Sequence, residues 1–151
     1  MNGAELHAFI NKINSLKPLF LGIFSINTLP TEIPVNHFLI CNFDLDHNPG
    51  SHWFCLFRIN SKKIECFDSL GISKSKKKVL KKYLKLDNVM LKFNNTSVQS
   101  LHTSTCGKFV LFFAIHRSHN LDISFTKLLN EIFVEKNEQN ELIVGNFLEN
   151  F

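Results

Sequence analysis

Hydrophobic residues along this chain fall in two patterns, the helical spacing typical of amphipathic helices and the short continuous runs typical of buried strands. Helical spacing predicts helices over residues 3–16, 73–86 and 124–136, and a longer apolar run predicts a buried helix over residues 106–116. Short apolar runs predict strands over residues 20–24, 37–43, 52–59, 64–68 and 89–93. An Asn- and Glu-rich stretch, 137–141, is expected to separate the last helix from a short apolar tail, 142–151.

Residues 52–59 and 64–68 are separated by a polar tetrapeptide, 60–63, which is a hairpin signal. Both faces of these two strands are apolar, so the hairpin is predicted to lie centrally in its sheet. Residues 44–50 are expected to form the loop that precedes it. The order of elements predicts one α+β domain over residues 1–151, a small, mostly antiparallel sheet flanked by helices.

Composition narrows the class of protein. The 151 residues are 44 % hydrophobic and 20 % charged, with a formal charge of +4, which is ordinary globular usage. The four cysteines show no C-x-x-C spacing, so no metal site is predicted. No signal sequence or membrane-length apolar run is visible, so we expect an intracellular protein from a reducing compartment that is neither secreted nor membrane-bound.

One cysteine differs from the others in its setting. Cys106 follows a polar loop and is followed by Gly107 and a long apolar run, which places it at the start of a buried helix. The free N–H groups of a helix N-terminus favour a thiolate, the reactive form of cysteine. Such a nucleophile also needs a base, usually histidine, oriented by a third group.

Seven histidines compete for the role of base. His116 and His119 lie at or beyond the far end of the predicted helix, opposite Cys106, and are poor candidates for the base. His102 lies in the loop before Cys106 and remains a candidate. His52 opens a buried strand, and Asp68 ends the strand predicted to pair with it, so the hairpin would bring the two together.

Each of these residues also has an ordinary structural interpretation. A lone cysteine before an apolar helix is most often a small buried residue, and a histidine at a strand start is usually a satisfied polar group. An aspartate before Ser-Leu-Gly commonly caps its own turn. Singly, none of them indicates catalysis.

Taken in order, the residues resemble the adenovirus endopeptidase (adenain) family of cysteine proteases, including those of Polinton-type and adintovirus-like elements. The likeness is carried by His52-Trp53, by Phe67-Asp68-Ser-Leu-Gly71, and by Gln99 seven residues before Cys106-Gly107. It covers roughly residues 5–118. The wider group includes proteases of ubiquitin-like modifiers, which share the order His, Asp, Gln, Cys.

The resemblance implies an adenain-like fold, related to papain, and a role for each residue. Cys106 would be the nucleophile, His52 the general base and then acid, and Asp68 the group that orients His52. Gln99 would donate its side-chain amide to the oxyanion hole, together with the Cys106 N–H. Trp53 would pack against the site and shield it, and Gly107 would keep the backbone beside the nucleophile free of a side chain.

The resemblance also implies partners, namely precursor structural proteins as substrates of a monomeric enzyme in the virion and the host nucleus or cytoplasm. No cofactor is required by the sequence. Covalent activation by a peptide is doubtful, because the family's cysteine upstream of the glutamine is absent and residues 87–89 read Asp-Asn-Val. DNA is a candidate activator, since seven lysines fall within residues 73–85: Lys74, Lys76, Lys77, Lys78, Lys81, Lys82 and Lys85.

A solvated helix face explains the lysines equally well. Three functions therefore remain open. The leading one is a cysteine endopeptidase that processes precursor proteins during particle maturation. The second is a protease of ubiquitin or ubiquitin-like modifiers acting on host conjugates. The third is an inactive DNA-binding or scaffold module, against which stands the competent residue type at all four catalytic positions.

Overall fold

Within residues 1–47 and 51–151, which the computed structural model of the protein describes, five strands form one mixed sheet. The strands lie in chain order across it: β1 (Phe20–Ser25), β2 (Phe38–Asn42), β3 (Trp53–Asn60), β4 (Lys63–Phe67) and β5 (Met90–Phe93). The three central strands are antiparallel, and each edge strand pairs in parallel with its neighbour. The predicted α+β class, the hairpin and its central position are confirmed, whereas the sheet is mixed instead of mostly antiparallel, because both edge strands pair in parallel.

Five helices surround the sheet in the described part of the chain: α1 (Gly3–Lys12), α2 (Lys74–Tyr83), α3 (Cys106–His119), α4 (Phe125–Ile132) and α5 (Asn137–Leu148). Asn2 and Glu5 form the capping box of α1, and serine side chains cap α2 and α4. Helix α1 stops before the predicted residue 16, because Ile13 takes an extended conformation. Helix α4 likewise ends at Ile132, because Phe133 is extended.

The C-terminal region corrects the prediction. Residues 137–141 do not separate a helix from a tail, because they form the first turns of α5. The helix buries Val144 and Leu148, which are four residues apart, together with Asn140. The Asn140 side chain bonds to backbone groups of other residues, which makes its burial possible. Because the buried residue in the first turns of this helix is the polar Asn140, the sequence shows no hydrophobic pattern there.

Each face of the sheet carries its own core. Alternate residues of β3 point to opposite faces, so Cys55 and Phe57 belong to one apolar cluster and Phe54 and Leu56 to the other. Helices α1, α3, α4 and α5 cover the first face, and α2 contributes to the second. Helix α3 is buried on nearly all sides, which explains why its sequence lacks a polar stripe.

The ends of three secondary-structure elements meet at one edge of the molecule. Strand β3 begins and its antiparallel partner β4 ends there, and α3 begins beside them. Residues 48–50, which belong to the predicted loop 44–50, lie outside the described residues. No helix in the described ranges has the length and apolar character needed to cross a membrane.

Candidate active site

His52 and Asp68 meet where the central hairpin opens. His52 precedes β3, Asp68 follows β4, and the His52 Nε2 atom lies 2.6 Å from Asp68 Oδ1. The Asp68 side chain is fully buried, whereas 17 % of the His52 side chain is exposed. The sequence-based expectation that the hairpin brings these two side chains together is therefore confirmed.

Three donors converge on the Asp68 carboxylate. Besides His52, the Leu70 N–H donates to Oδ1 at 2.9 Å and Lys76 Nζ to Oδ2 at 3.1 Å. Burial by itself would raise the pKa of Asp68, but the hydrogen bond from His52 and the charges of His52 and Lys76 lower it below its usual value. The carboxylate is thus held ionised inside the protein.

Asn94, the residue directly after the neighbouring strand β5, fixes the backbone of Asp68. The Asn94 side chain accepts a hydrogen bond from the Asp68 N–H at 2.9 Å and donates to the Asp68 carbonyl at 2.6 Å. Gly71 closes the following turn with φ of +77°, and a Cβ atom there would lie 2.7 Å from the Asn95 carbonyl oxygen. The Asp-Ser-Leu-Gly segment therefore has a geometric reason for its glycine.

Cys106 is the first residue of α3, and its thiol lies beside the His52 imidazole, close enough for the imidazole to lower the pKa of the thiol. Since Nε2 of His52 is engaged by Asp68, the nitrogen left for the thiol is Nδ1. The backbone groups of Trp53 and Gly107 also lie close to the sulfur and lower the pKa of the thiol. The three side chains thus form a continuous line from carboxylate to imidazole to thiol.

The pKa values of Cys106 and His52 are shifted from their usual values in opposite directions. Burial would raise the pKa of Cys106, but the His52 hydrogen bond, the two backbone bonds and the His52 charge lower it. Burial would lower the pKa of His52, yet the hydrogen bonds and negative charges of Asp68 and Cys106 raise it to about 9. The site therefore favours a thiolate beside an imidazolium.

Gln99 lies in the loop between β5 and α3, and its side chain is almost completely buried. Its Oε1 accepts a 2.6 Å hydrogen bond from Ser69 Oγ, and its Nε2 donates to the carbonyl oxygen of Thr103 at 2.9 Å and to Thr103 Oγ1 at 3.1 Å. The Gln99 N–H also donates to the Ser69 carbonyl. Gln99 is thereby tied to the turn after Asp68, and its amide faces Thr103 in this structure.

Trp53 and Gly107 both contact the N-terminal segment. The Trp53 indole is buried, and its Nε1 donates to the Met1 carbonyl at 3.0 Å. A Cβ atom on Gly107 would lie 3.1 Å from Met1 Cβ and 3.4 Å from Leu6 Cδ2, so the glycine lets α1 approach α3 closely. Trp53 additionally borders the thiol through its backbone.

The other histidine candidates lie elsewhere. His116 and His119 occupy the last turns of α3, and the His119 ring bonds to the Ile115 carbonyl. His102 is exposed in the loop before Cys106.

The lysines of the α2 region have different surroundings. Lys76 reaches Asp68, and Lys77 donates to Asn95 Oδ1 at 2.7 Å, so these two are engaged at the site. The other five are exposed, namely Lys74, Lys78, Lys81, Lys82 and Lys85. Lys85 lies beyond the end of α2.

Sequence reasoning missed several residues that support this site, among them Asn94 and Lys76. It gave no role to Asn94, and it placed Lys76 among the DNA-binding lysines. Alternation of apolar residues along β5 predicts a strand but does not indicate which side chain leaves its end. Among the described residues, no group of three or more His, Cys, Asp or Glu side chains could hold a metal ion.

Comparisons with known proteins give little beyond this geometry. No protein-family model matches the sequence, and no curated protein matches it significantly. The solved structures that match include the crystal structure of the ASFV pS273R protease, at 21 % identity and a TM-score of 0.37. The match covers 74 % of this chain and 44 % of that protease, so the chain spans less than half its length. A TM-score this low supports no conclusion about function, so the candidate site is defined by the contacts within this protein alone.

Proposed function

We propose that the protein is a cysteine peptidase with Cys106 as nucleophile. The observation that carries this proposal is the row of three side chains in which a buried, ionised Asp68 holds His52 at 2.6 Å and His52 lies beside the Cys106 thiol and lowers its pKa. Among the four cysteines, Cys106 has a lowered pKa, whereas burial raises the pKa of Cys41, Cys55 and Cys66. A cysteine needs such an arrangement to attack a carbonyl group at neutral pH.

The proposed reaction begins with attack of the Cys106 thiolate on the scissile carbonyl carbon. The electron pair of the carbonyl moves to oxygen, and the Cys106 N–H and the Gln99 amide stabilise this oxyanion. His52 then gives its proton to the leaving amine, and a thioester remains on Cys106. Water, deprotonated by His52, attacks the thioester, which releases the acid and restores the thiolate–imidazolium pair.

The position of Gln99 adds one requirement. Its Nε2 donates to two oxygen atoms of Thr103 in this structure, so at least one N–H must turn toward the oxyanion during the reaction. Ser69 holds the opposite side of the amide, its Oε1, and fixes which end can donate.

A finer proposal concerns the substrate. The order of His52, Asp68, Gln99 and Cys106 resembles both the adenain family and proteases of ubiquitin-like modifiers. We favour precursor structural proteins as substrates during particle maturation, with modifier conjugates as the alternative. Both classes are proteins.

The experiment presents the protein and its Cys106→Ala form with both substrate classes. One is a set of precursor structural proteins, and the other is a reporter fused behind a ubiquitin-like domain. We expect the parent to cut one class, with a new N-terminus detected by mass spectrometry, and the variant to cut neither. Equal fragments from both forms, or none from the parent, would contradict the proposal.

A second candidate function is DNA binding by the exposed lysines of the α2 region. Five lysines without a role at the site present positive charge on one part of the surface. Since Lys76 and Lys77 contact residues at the site, the variant should change Lys74, Lys78, Lys81 and Lys82 to glutamate and leave those two intact. We expect the parent to bind duplex DNA at low salt, with affinity that falls steeply as salt rises, and the variant to bind far less. Equal binding would remove this proposal.

A further inference from the structure

We propose that helix α5 positions the oxyanion-hole loop, with Glu141 as the positioning residue. The inference rests on the proposed peptidase function and adds a residue to it. The loop from residue 94 to residue 105 contains no helix or strand, and its residues 101–104 are exposed. It nevertheless has to place Gln99 and the first N–H groups of α3. Its order must therefore come from contacts with neighbouring elements.

The Glu141 carboxylate collects three donors from this loop. Oε1 accepts hydrogen bonds from the Ser100 N–H at 3.2 Å and from Thr103 Oγ1 at 2.6 Å, and Oε2 accepts one from Thr105 Oγ1 at 2.7 Å. Hydrogen bonds to a charged acceptor are shorter and about twice as strong as neutral ones. One side chain thus fixes three positions spread over the six residues before Cys106.

The Thr103 hydroxyl transmits this contact to Gln99. A hydroxyl has a single hydrogen to donate, and its 2.6 Å distance to the carboxylate favours donation there over the 2.9 Å contact with the Ser100 carbonyl. The same oxygen accepts the Gln99 amide at 3.1 Å. Glu141 therefore orients Thr103, and Thr103 orients the amide that would serve the oxyanion.

The Thr105 hydroxyl leaves the start of α3 open. Thr105 is the N-cap residue of α3, a position where a threonine side chain usually accepts a backbone N–H of the first turn. Here its hydroxyl bonds to Glu141, and no side chain caps the helix. The hydroxyl of the residue directly before Cys106 is thereby tied to Glu141, and the N–H groups of the first helical turn carry no side-chain cap.

Two further residues of α5 anchor the backbone at Gln99 and at the residue before it. Asn137 Nδ2 donates to the Gln99 carbonyl at 3.1 Å, and the buried Asn140 donates to the Val98 carbonyl at 3.0 Å. The loop is therefore held by one helix at both its backbone and its hydroxyl groups. Glu141 supplies the part that reaches the residues next to the nucleophile.

The kinetic test uses the whole protein with Glu141→Ala and Glu141→Gln. Without the carboxylate, Thr105 is free to cap α3 and Gln99 loses its oriented partner. We expect kcat to fall by about tenfold to a hundredfold with KM within about twofold, because the loss falls on the transition state. Glutamine keeps one acceptor oxygen and should retain most of kcat. Glu138→Ala is the matched control, because Glu138 is an exposed glutamate one turn earlier on α5.

A second readout does not depend on peptide hydrolysis. Alkylation of Cys106 by iodoacetamide passes through no oxyanion, so its rate should stay within about twofold in Glu141→Ala. Amide hydrogen exchange at Ser100 should accelerate by about tenfold in that variant and stay near the parent rate in Glu138→Ala.

The two readouts separate failure of the inference from failure of the proposed function. If the parent hydrolyses substrate and Glu141→Ala has the same kcat, the inference is overturned and the peptidase stands. If the parent hydrolyses nothing, the proposed peptidase function is wrong. Faster exchange at Ser100 in Glu141→Ala would then still support the proposal that Glu141 holds the loop, which is called the Glu141 clamp. Unchanged exchange at Ser100 would overturn the clamp in either case.

Discussion

The four cysteines lie in two kinds of surroundings. Cys41, Cys55 and Cys66 sit inside the sheet with no exposed surface, and burial raises the pKa of each thiol. Cys106 is also largely buried, yet its pKa is lowered. Burial alone therefore does not separate the two groups. The difference lies in the partners, because an imidazole and two backbone groups lie close to the sulfur of Cys106 and lower its pKa.

The comparison shows how position in the fold decides chemistry. Inside a strand, the backbone N–H groups are used by the sheet and alternate side chains face an apolar core, so a thiol there finds no donor. At a helix start the first N–H groups have no intrahelical acceptor. The same residue type is an inert filler in the first setting and a candidate nucleophile in the second.

Removal of His52 should have the largest effect on the difference in reactivity between Cys106 and the three cysteines in the sheet. Without the imidazole, Cys106 approaches an ordinary thiol with a pKa near 8.5, of which only about 0.3 % is ionised at pH 6. We expect alkylation of Cys106 in His52→Ala at pH 6 to fall by about a hundredfold. His102→Ala, in the exposed loop before Cys106, is the control and should react like the parent. An unchanged rate in His52→Ala would mean that the thiolate is stabilised without the histidine.

Substitution of Lys76 should have a smaller effect, which appears only in the pH dependence of hydrolysis. The pKa of His52 is raised to about 9, so His52 holds its proton below that pH and loses it above. Hydrolysis should therefore decline on the alkaline side near pH 9. Because Lys76 offsets the Asp68 charge, Lys76→Met should raise the pKa of His52 and move this decline upward by about half a pH unit.

Lys77→Met is the matched control for that shift, because the neighbouring lysine bonds to Asn95 instead of Asp68. A decline that stays in place in Lys76→Met, or that moves equally in Lys77→Met, would show that Lys76 has no specific effect on His52.

The sheet cysteines should affect stability and leave reactivity unchanged. Cys55 has no exposed surface, so Cys55→Ala leaves a small gap in the core and should lower the free energy of unfolding by about 1 kcal/mol. Urea unfolding measures this change, and alkylation of Cys106 in the folded variant should match the parent. A loss of Cys106 reactivity would mean that the two regions are coupled.

Most of the sheet and the juxtaposition of His52 with Asp68 could be predicted, because apolar runs and a hairpin signal are local features of the sequence. Helix α5 could not. Its Asn137, Asn140 and Glu141 read as a polar connection, since side chains that bond to distant backbone leave no periodic hydrophobic signal. The spacing of Gln99 from Cys106 indicated a shared loop, but it did not indicate that the amide would face Thr103. The contact between Lys76 and Asp68 was hidden for a similar reason, because a run of lysines looks alike at every position.

The most direct measurement of the central claim is residue-resolved alkylation of the folded protein by iodoacetamide across pH, read by mass spectrometry. We expect Cys106 to be labelled rapidly at pH 6, well below the usual range of a thiol, while Cys41, Cys55 and Cys66 stay unlabelled until the protein unfolds. Slow and equal labelling of all four cysteines, or labelling of Cys106 only above pH 8.5, would contradict an activated cysteine at the start of α3.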